Sequence, residues 1–340
     1  MKAIYSLFLV FGLVLIALLG AGALGLHYLF GVVIPYVAVL FFIVGFVLRV
    51  VKWGKSPVPF RIPTTAGQEF SLPWIKQNKI DNPSTTWGVI LRMFFEVVTF
   101  RSLFRNTKVE LYDGPKLAYA SSKWLWLFAL MFHYSFLTIF VRHMRFFTEP
   151  VPFIFQALDK VDGMLQIGAP HIYMTDVVIL VALGYLLLRR LVVPKIRYIS
   201  LPADYFPLFL IFGIVISGIL MRYFVKTDVI GIKQLTMGLV TLKPTIPEGV
   251  SAIFYIHVFL VSVLLVYFPL SKLMHMGGVF LSPTRNLANN NRMKRHINPW
   301  NYPVKVHTYE AYEDEFREKM VEAGLPVEKP LEQQPAESKE

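Results

Sequence analysis

Six stretches of the chain stay apolar for about the length that a membrane demands. They are Ile4 to Leu19, Leu24 to Leu48, Trp124 to Val141, Val177 to Val193, Tyr205 to Val225 and Val250 to Leu270. Roughly 20 apolar residues rising about 1.5 Å each cross a hydrocarbon core of about 30 Å. The pattern predicts an all-α polytopic bundle of six transmembrane helices. The first two stretches are split by the small-residue run from Gly20 to Gly25. The first also resembles a secretory signal, with Lys2, an apolar run and the small-x-small site Ala21-Gly22-Ala23. We read it as a retained helix.

Another apolar stretch is not expected to span. In "TWGVILRMFFEVVTFRSLFR" the charges Arg92, Glu96, Arg101 and Arg105 interrupt the run, and each costs about 2.5–3.5 kcal/mol at a helix centre. An interfacial helix on the inner surface fits this pattern, with a buried re-entrant hairpin as the alternative. The preceding "SPVPFRIPTTAGQ" is Pro-rich and reads as irregular. Beyond Met276 the chain turns polar. There Tyr312, Phe316 and Met320 recur at i, i+4 and i+8, which predicts a short amphipathic helix stopped at Gly324. The closing "LEQQPAESKE" has the composition of a disordered end. Four regions are expected: a hairpin at 1–52, a cytoplasmic or interfacial segment at 53–122, a four-helix core at 123–275 and a tail at 276–340.

Composition and charge add an orientation. The chain is 55% hydrophobic, with mean hydropathy +0.53 and net charge +12. Basic residues gather in the loop from Arg49 to Lys123, in Arg189, Arg190, Lys195 and Arg197, and in the tail from Lys272. Positive loops stay inside, so both termini are expected in the cytoplasm of a multi-pass protein of the cytoplasmic membrane. The basic excess is explained by this bias and by anionic membrane lipids, with no call for nucleic acid. The chain has no cysteine. That excludes thiolate-held iron–sulfur clusters and covalently attached haem, so a redox cofactor must be held by His, or more weakly by Met.

Eight histidines are present, four of them on the expected third and sixth spans: His133 and His143, then His257 and His275. The first two lie ten residues apart on one broad side of an ideal helix. The other two are 18 apart, five full turns at 3.6 residues per turn. Antiparallel spans then put His133 and His275 nearer the cytoplasm, and His143 and His257 nearer the exterior. Each cross-helix pair could supply both axial nitrogens of one haem. Axial rises of about 15 Å and about 27 Å differ by roughly 12 Å, which tilt, inclined haem planes or a frayed end near Gly277 and Gly278 must absorb. Zinc would want a closed tetrahedral cluster, and these positions are too spread along the membrane normal. His27, His171, His296 and His307 are expected in surface or packing roles, and Met274 and Met276 as lipid-facing filler. Arg142, Arg145 and Arg222, near the outer end, could pair with haem propionates or snorkel to the interface.

The His spacings resemble those of the gamma, cytochrome b subunit of respiratory nitrate reductase. More closely, "SLFLVFGLVLIALLG", "SPVPFRIPTT", "FRSLFRNT", "HYSFLTIFVRHMRFFTEPVP", "SLPADYFPLFL" and "SKLMHMGGVFLSPTRN" resemble the DsrM family, cytochrome b subunits of sulfate-respiration-linked DsrMKJOP complexes. The resemblance implies two non-covalent b haems, His143 with His257 for the outer and His133 with His275 for the inner. It implies menaquinol as electron donor, oxidised near His143, Arg142 and Arg145. It also implies a cytoplasmic iron–sulfur partner similar to the heterodisulfide reductase catalytic subunit (DsrK-like), beside other membrane and periplasmic subunits of the complex. Nitrate reductase gamma has five spans against the six expected here. The rival class is a transporter or proton channel with an intramembrane His relay. A third is a purely structural anchor.

Overall fold

A computed structural model describes residues 2–58, 61–62, 67–112, 116–163, 172–290 and 306–331. His171, His296 and the end of the tail beyond Leu331 lie outside the described residues.

In hydrocarbon, each backbone N–H and C=O must be satisfied within its own segment, and a helix does this. Five helices are long and apolar enough to cross a membrane: α1 (Lys2–Ala23), α2 (Leu29–Gly54), α4 (Lys123–Phe146), α7 (Pro202–Val225) and α9 (Ala252–Leu270). The remaining expected span, the fourth in chain order, is the 19-residue helix α6 (Met174–Val192). It falls short of the other five only because Asp176, Arg189 and Arg190 occupy its first and last turns. The remaining described helices are α3 (Thr86–Thr99), α5 (Phe153–Asp162), α8 (Val229–Val240) and α10 (Tyr309–Glu322), with several shorter pieces. A two-stranded antiparallel hairpin, β1 (Thr107–Tyr112) and β2 (Lys116–Ser121), pairs Thr107 with Ser121 and Tyr112 with Lys116. The sequence pattern did not predict it.

The long helices α1, α2, α4, α6, α7 and α9 form one bundle. Helix α9 packs against α2 and α7, α1 against α7 and α9, and α6 bridges α4 and α7. Ala17, Ala21, Phe30, Leu235, Phe254 and Tyr255 make one buried cluster, Val10, Leu210 and Leu260 a second, and Ile179, Leu183 and Ile211 a third. Small residues permit the closest approaches, as is common between membrane helices. A Cβ on Gly20 would overlap the Phe30 ring. Outward positions such as Phe8, Leu40 and Leu137 stay exposed and apolar. So large an apolar surface belongs in lipid, and the chain is a multi-pass membrane protein.

Two compact units divide the chain, Met1–Lys294 and Arg295–Glu340. The boundary falls later than the expected 275/276. Arg285 donates to Glu96 at 2.8 Å and the Asn289 amide donates to the Pro83 carbonyl at 2.7 Å, which ties residues 276–290 into the membrane unit. In the second unit, Thr308 caps α10 by accepting from the Ala311 amide, and Gly324 at φ +71° follows the helix end.

Candidate functional site

His133 lies ten residues into α4 and directs Nδ1 at the Ala129 carbonyl, 2.7 Å away. His275 does not share a continuous helix with His257. Helix α9 ends at Leu270 after Pro269, Ser271 is extended at φ −113° and ψ −179°, and a short helix His275–Gly278 follows one more turn. Proline cannot donate to the preceding turn, and the Ser271 hydroxyl restarts the chain by accepting from the Leu273 amide. This corrects the expectation of five unbroken turns. It also relieves the axial mismatch, because the chain stops rising in a single direction. His275 Nδ1 faces the Lys272 carbonyl at 3.0 Å. The His133 and His275 ring centres lie 5.9 Å apart, with planes at 87°.

The second pair forms at the other end of α4. His143 Nδ1 faces the Ile139 carbonyl at 2.7 Å, and His257 Nδ1 lies 2.9 Å from the Ser217 hydroxyl. Their ring centres are 6.4 Å apart and the planes nearly parallel, at 13°. Gly218 lies against the His257 ring, where a Cβ would make van der Waals contact with Cε1 at 3.4 Å.

All four imidazoles therefore have Nδ1 engaged by the protein, which leaves Nε2 as the nitrogen for a ligand. With a metal–nitrogen bond of about 2 Å, two rings on one metal have centres roughly 6 Å apart. Each ring plane contains the common axis, so any angle between the two planes is allowed. Among the described residues, no cluster of three or more His, Cys, Asp or Glu side chains could hold a metal ion. The donors come in twos, which suits a metal that brings its own four equatorial nitrogens. The residues fit haem.

Next to His143 lies a polar cluster that the sequence reading missed. Arg142 is buried and pairs with Asp162, and its second nitrogen lies 3.5 Å from Asp176. Asp162 also accepts from the Thr175 amide and hydroxyl at 2.9 and 2.6 Å. Arg145 pairs with Asp159 at 2.9 Å, and the Tyr173 hydroxyl donates to the same carboxylate at 2.6 Å. The Arg142 and Arg222 guanidinium carbons stand 3.5 and 3.9 Å from the Tyr173 ring centre. Two such groups fit so closely only on opposite faces of the ring. Arg142 and Arg145 are thus held by acids of α5 and α6 rather than by the interface. Only their position near His143 was visible in sequence, because the acids lie 14 to 34 residues further on.

On the other side, Arg61, Arg92, Arg101 and Arg105 converge on Asp81, the first two on its carbonyl and the last two on its carboxylate. Burial, with Arg92 close by, pushes the Arg61 guanidinium down to about 10. The remaining residues singled out from sequence are scattered. His27 stacks on Tyr255 with ring centres 4.8 Å apart, and His307 lies 3.7 Å from Glu315. Met276 is exposed, whereas Met274 is buried, so Met274 is not the lipid-facing filler expected.

Fold and site together define a multi-pass helical membrane protein in which α4 faces one histidine on α9 and one on the short helix that follows it. The chain belongs to the nitrate reductase gamma subunit family, which residues 114–295 match. It is 45% identical over 279 residues to a protein of Archaeoglobus fulgidus named Hdr-like menaquinol oxidoreductase cytochrome b-like subunit, covering 80% of this chain and 83% of the relative. A protein of the same name from Archaeoglobus profundus is 43% identical over 274 residues, covering 78% and 81%.

Proposed function

We propose that this chain is the di-haem cytochrome b subunit of a membrane menaquinol oxidoreductase. The observation that carries the reading is the two facing pairs, His143 with His257 and His133 with His275, each with both Nδ1 atoms engaged. When bound, two b haems supply one-electron exchange between the two sides of the membrane. The protein's part is to fix tautomer and ring direction through Ala129, Ile139, Lys272 and Ser217, and to exclude water from the bundle. The names of the Archaeoglobus relatives support menaquinol as the donor and a heterodisulfide-reductase-like complex as the setting.

In the finer reading, menaquinol is oxidised beside the outer pair, where Arg145 and Asp159 form the partly exposed rim of the polar cluster. Electrons leave on the side of His133 and His275 to a separate iron–sulfur subunit, since a chain without cysteine holds no cluster of its own. The DsrM assignment and a place in dissimilatory sulfur metabolism follow the resemblance stated for the sequence. The test is a spectrum of the purified protein. A b-type Soret band, two haems per chain extractable into acid acetone, and reduction by a menaquinol analogue are expected. A colourless protein would favour the transporter or channel reading. Haems that quinol leaves oxidised would favour the structural anchor.

A further inference from the structure

Helix α3 is built inside out for a helix resting on a membrane surface. Such a helix turns charges toward water and its apolar face toward acyl chains. Here the charges face the protein: Arg92 is buried against the Asp81 carbonyl, and Glu96 takes bonds from Arg285 and from Ser102 at 2.8 and 2.5 Å. The opposite face carries no charge and beyond Thr86 is apolar. Trp87, Ile90, Leu91, Phe94 and Val97 recur at helical spacing, Trp87 80% and Phe94 55% exposed.

The depth of the segment is fixed by its contacts with α4. Lys123 Nζ stands 5.3 Å from the Phe104 ring centre, and Trp126 Nε1 donates to the Thr99 carbonyl at 2.7 Å. Further along, the Phe100 ring meets His133 edge-on at 5.0 Å, and the Tyr134 hydroxyl donates to the Val98 carbonyl at 2.8 Å. His133 is ten residues beyond Lys123, or about 15 Å along the helix, against a hydrocarbon half-thickness of about 15 Å. Phe100 itself is left-handed at φ +50°, and the chain turns back there into the short helix Arg101–Phe104.

We propose that residues 86–104 form a re-entrant wedge sunk into the leaflet on the side of Lys123, with Trp87, Ile90, Leu91, Phe94 and Val97 against lipid acyl chains. The occupant is lipid because the exposed face carries no charge, lies at the depth of α4 and continues the apolar outer surface of the spans. The wedge covers the His133 side of the inner pair. The inference goes beyond the proposed redox role and stands whether or not haem is bound.

The absence of cysteine makes a direct test possible. Ile90→Cys and Phe94→Cys, with Leu111→Cys on the hairpin as a reference, carry a nitroxide in the full-length chain in phospholipid vesicles. All three positions are exposed, so substitution there leaves the fold intact. At 90 and 94, collision with oxygen is expected to exceed collision with a water-soluble nickel chelate several-fold, and the ratio should invert at 111. Nickel access at 90 and 94 equal to that at 111 would put the helix in water and overturn the wedge. Low access to both reagents would mean a protein surface covers it, and would also overturn it. In native membranes, a photoreactive benzoylphenylalanine in place of Phe94 should give no protein adduct. A specific adduct would show that a subunit, rather than lipid, occupies the face.

Discussion

Every histidine of the two facing pairs has its Nδ1 occupied, three by carbonyls of their own helical turns and His257 by the Ser217 hydroxyl. A carbonyl cannot be removed by mutation, but a hydroxyl can. Ser217→Ala should therefore weaken retention of the outer haem, roughly 10–100-fold by the cost typical of a lost outer-shell partner, and shift its potential alone. A redox titration that resolves both haems checks this, and an equal shift in both would contradict it. Arg142 and Asp162 form a buried pair, 7% and 2% exposed. Removing the Asp162 charge leaves Arg142 with only its longer contact to Asp176 at 3.5 Å, and breaking a buried pair costs up to about 3–5 kcal/mol. Asp162→Asn should lower the thermal midpoint markedly, and far more than Asp159→Asn at the exposed rim.

Among the elements, α10 offers a test that does not depend on the membrane. The backbone amides of Glu328 and Lys329 donate to the Glu313 carboxylate at 2.9 Å each, and these bonds, joined by Arg317, hold its pKa below the usual carboxylate range. A folded pKa below the unfolded one means that the contribution is present above the unfolded value and lost as pH falls through the folded value. Acidification below the ordinary glutamate range should release residues 325–331 from the helix. Glu313→Gln should release them at neutral pH, seen as faster amide exchange at Glu328 and Lys329 than in the parent at the same pH. The elements differ in how far sequence reveals them. The apolar runs were legible because lipid enforces unbroken helices, and so was α10, whose spacing and Gly324 mark it locally. The His pairings followed from order along antiparallel spans. The restart at Ser271 is not legible in the 18-residue spacing, which fits an unbroken helix, although Pro269 marks the break. The hairpin and the inward charges of α3 were missed because their partners, such as Glu96 and Arg285, meet only in the folded chain.

Across the whole molecule, the proposed function puts quinol on one side, an acceptor on the other, and two imidazole pairs between them. The tail belongs to the acceptor's side in the expected topology, with basic residues before α10 and acidic ones within it. Basic surfaces steer acidic partners in a salt-sensitive way. Deleting residues 306–340 should leave the absorption spectrum intact and lower co-purification of an iron–sulfur subunit, more so in high salt. Undiminished recovery would make the tail a bystander. The central claim is the cross-pairing itself, and haem content in histidine variants tests it most directly. His143→Ala and His257→Ala should each remove the same haem and spare the other, while His133→Ala and His275→Ala remove the second. Combining His133→Ala with His257→Ala should then abolish both. A double variant that retains one haem would show that the pairs are drawn wrongly.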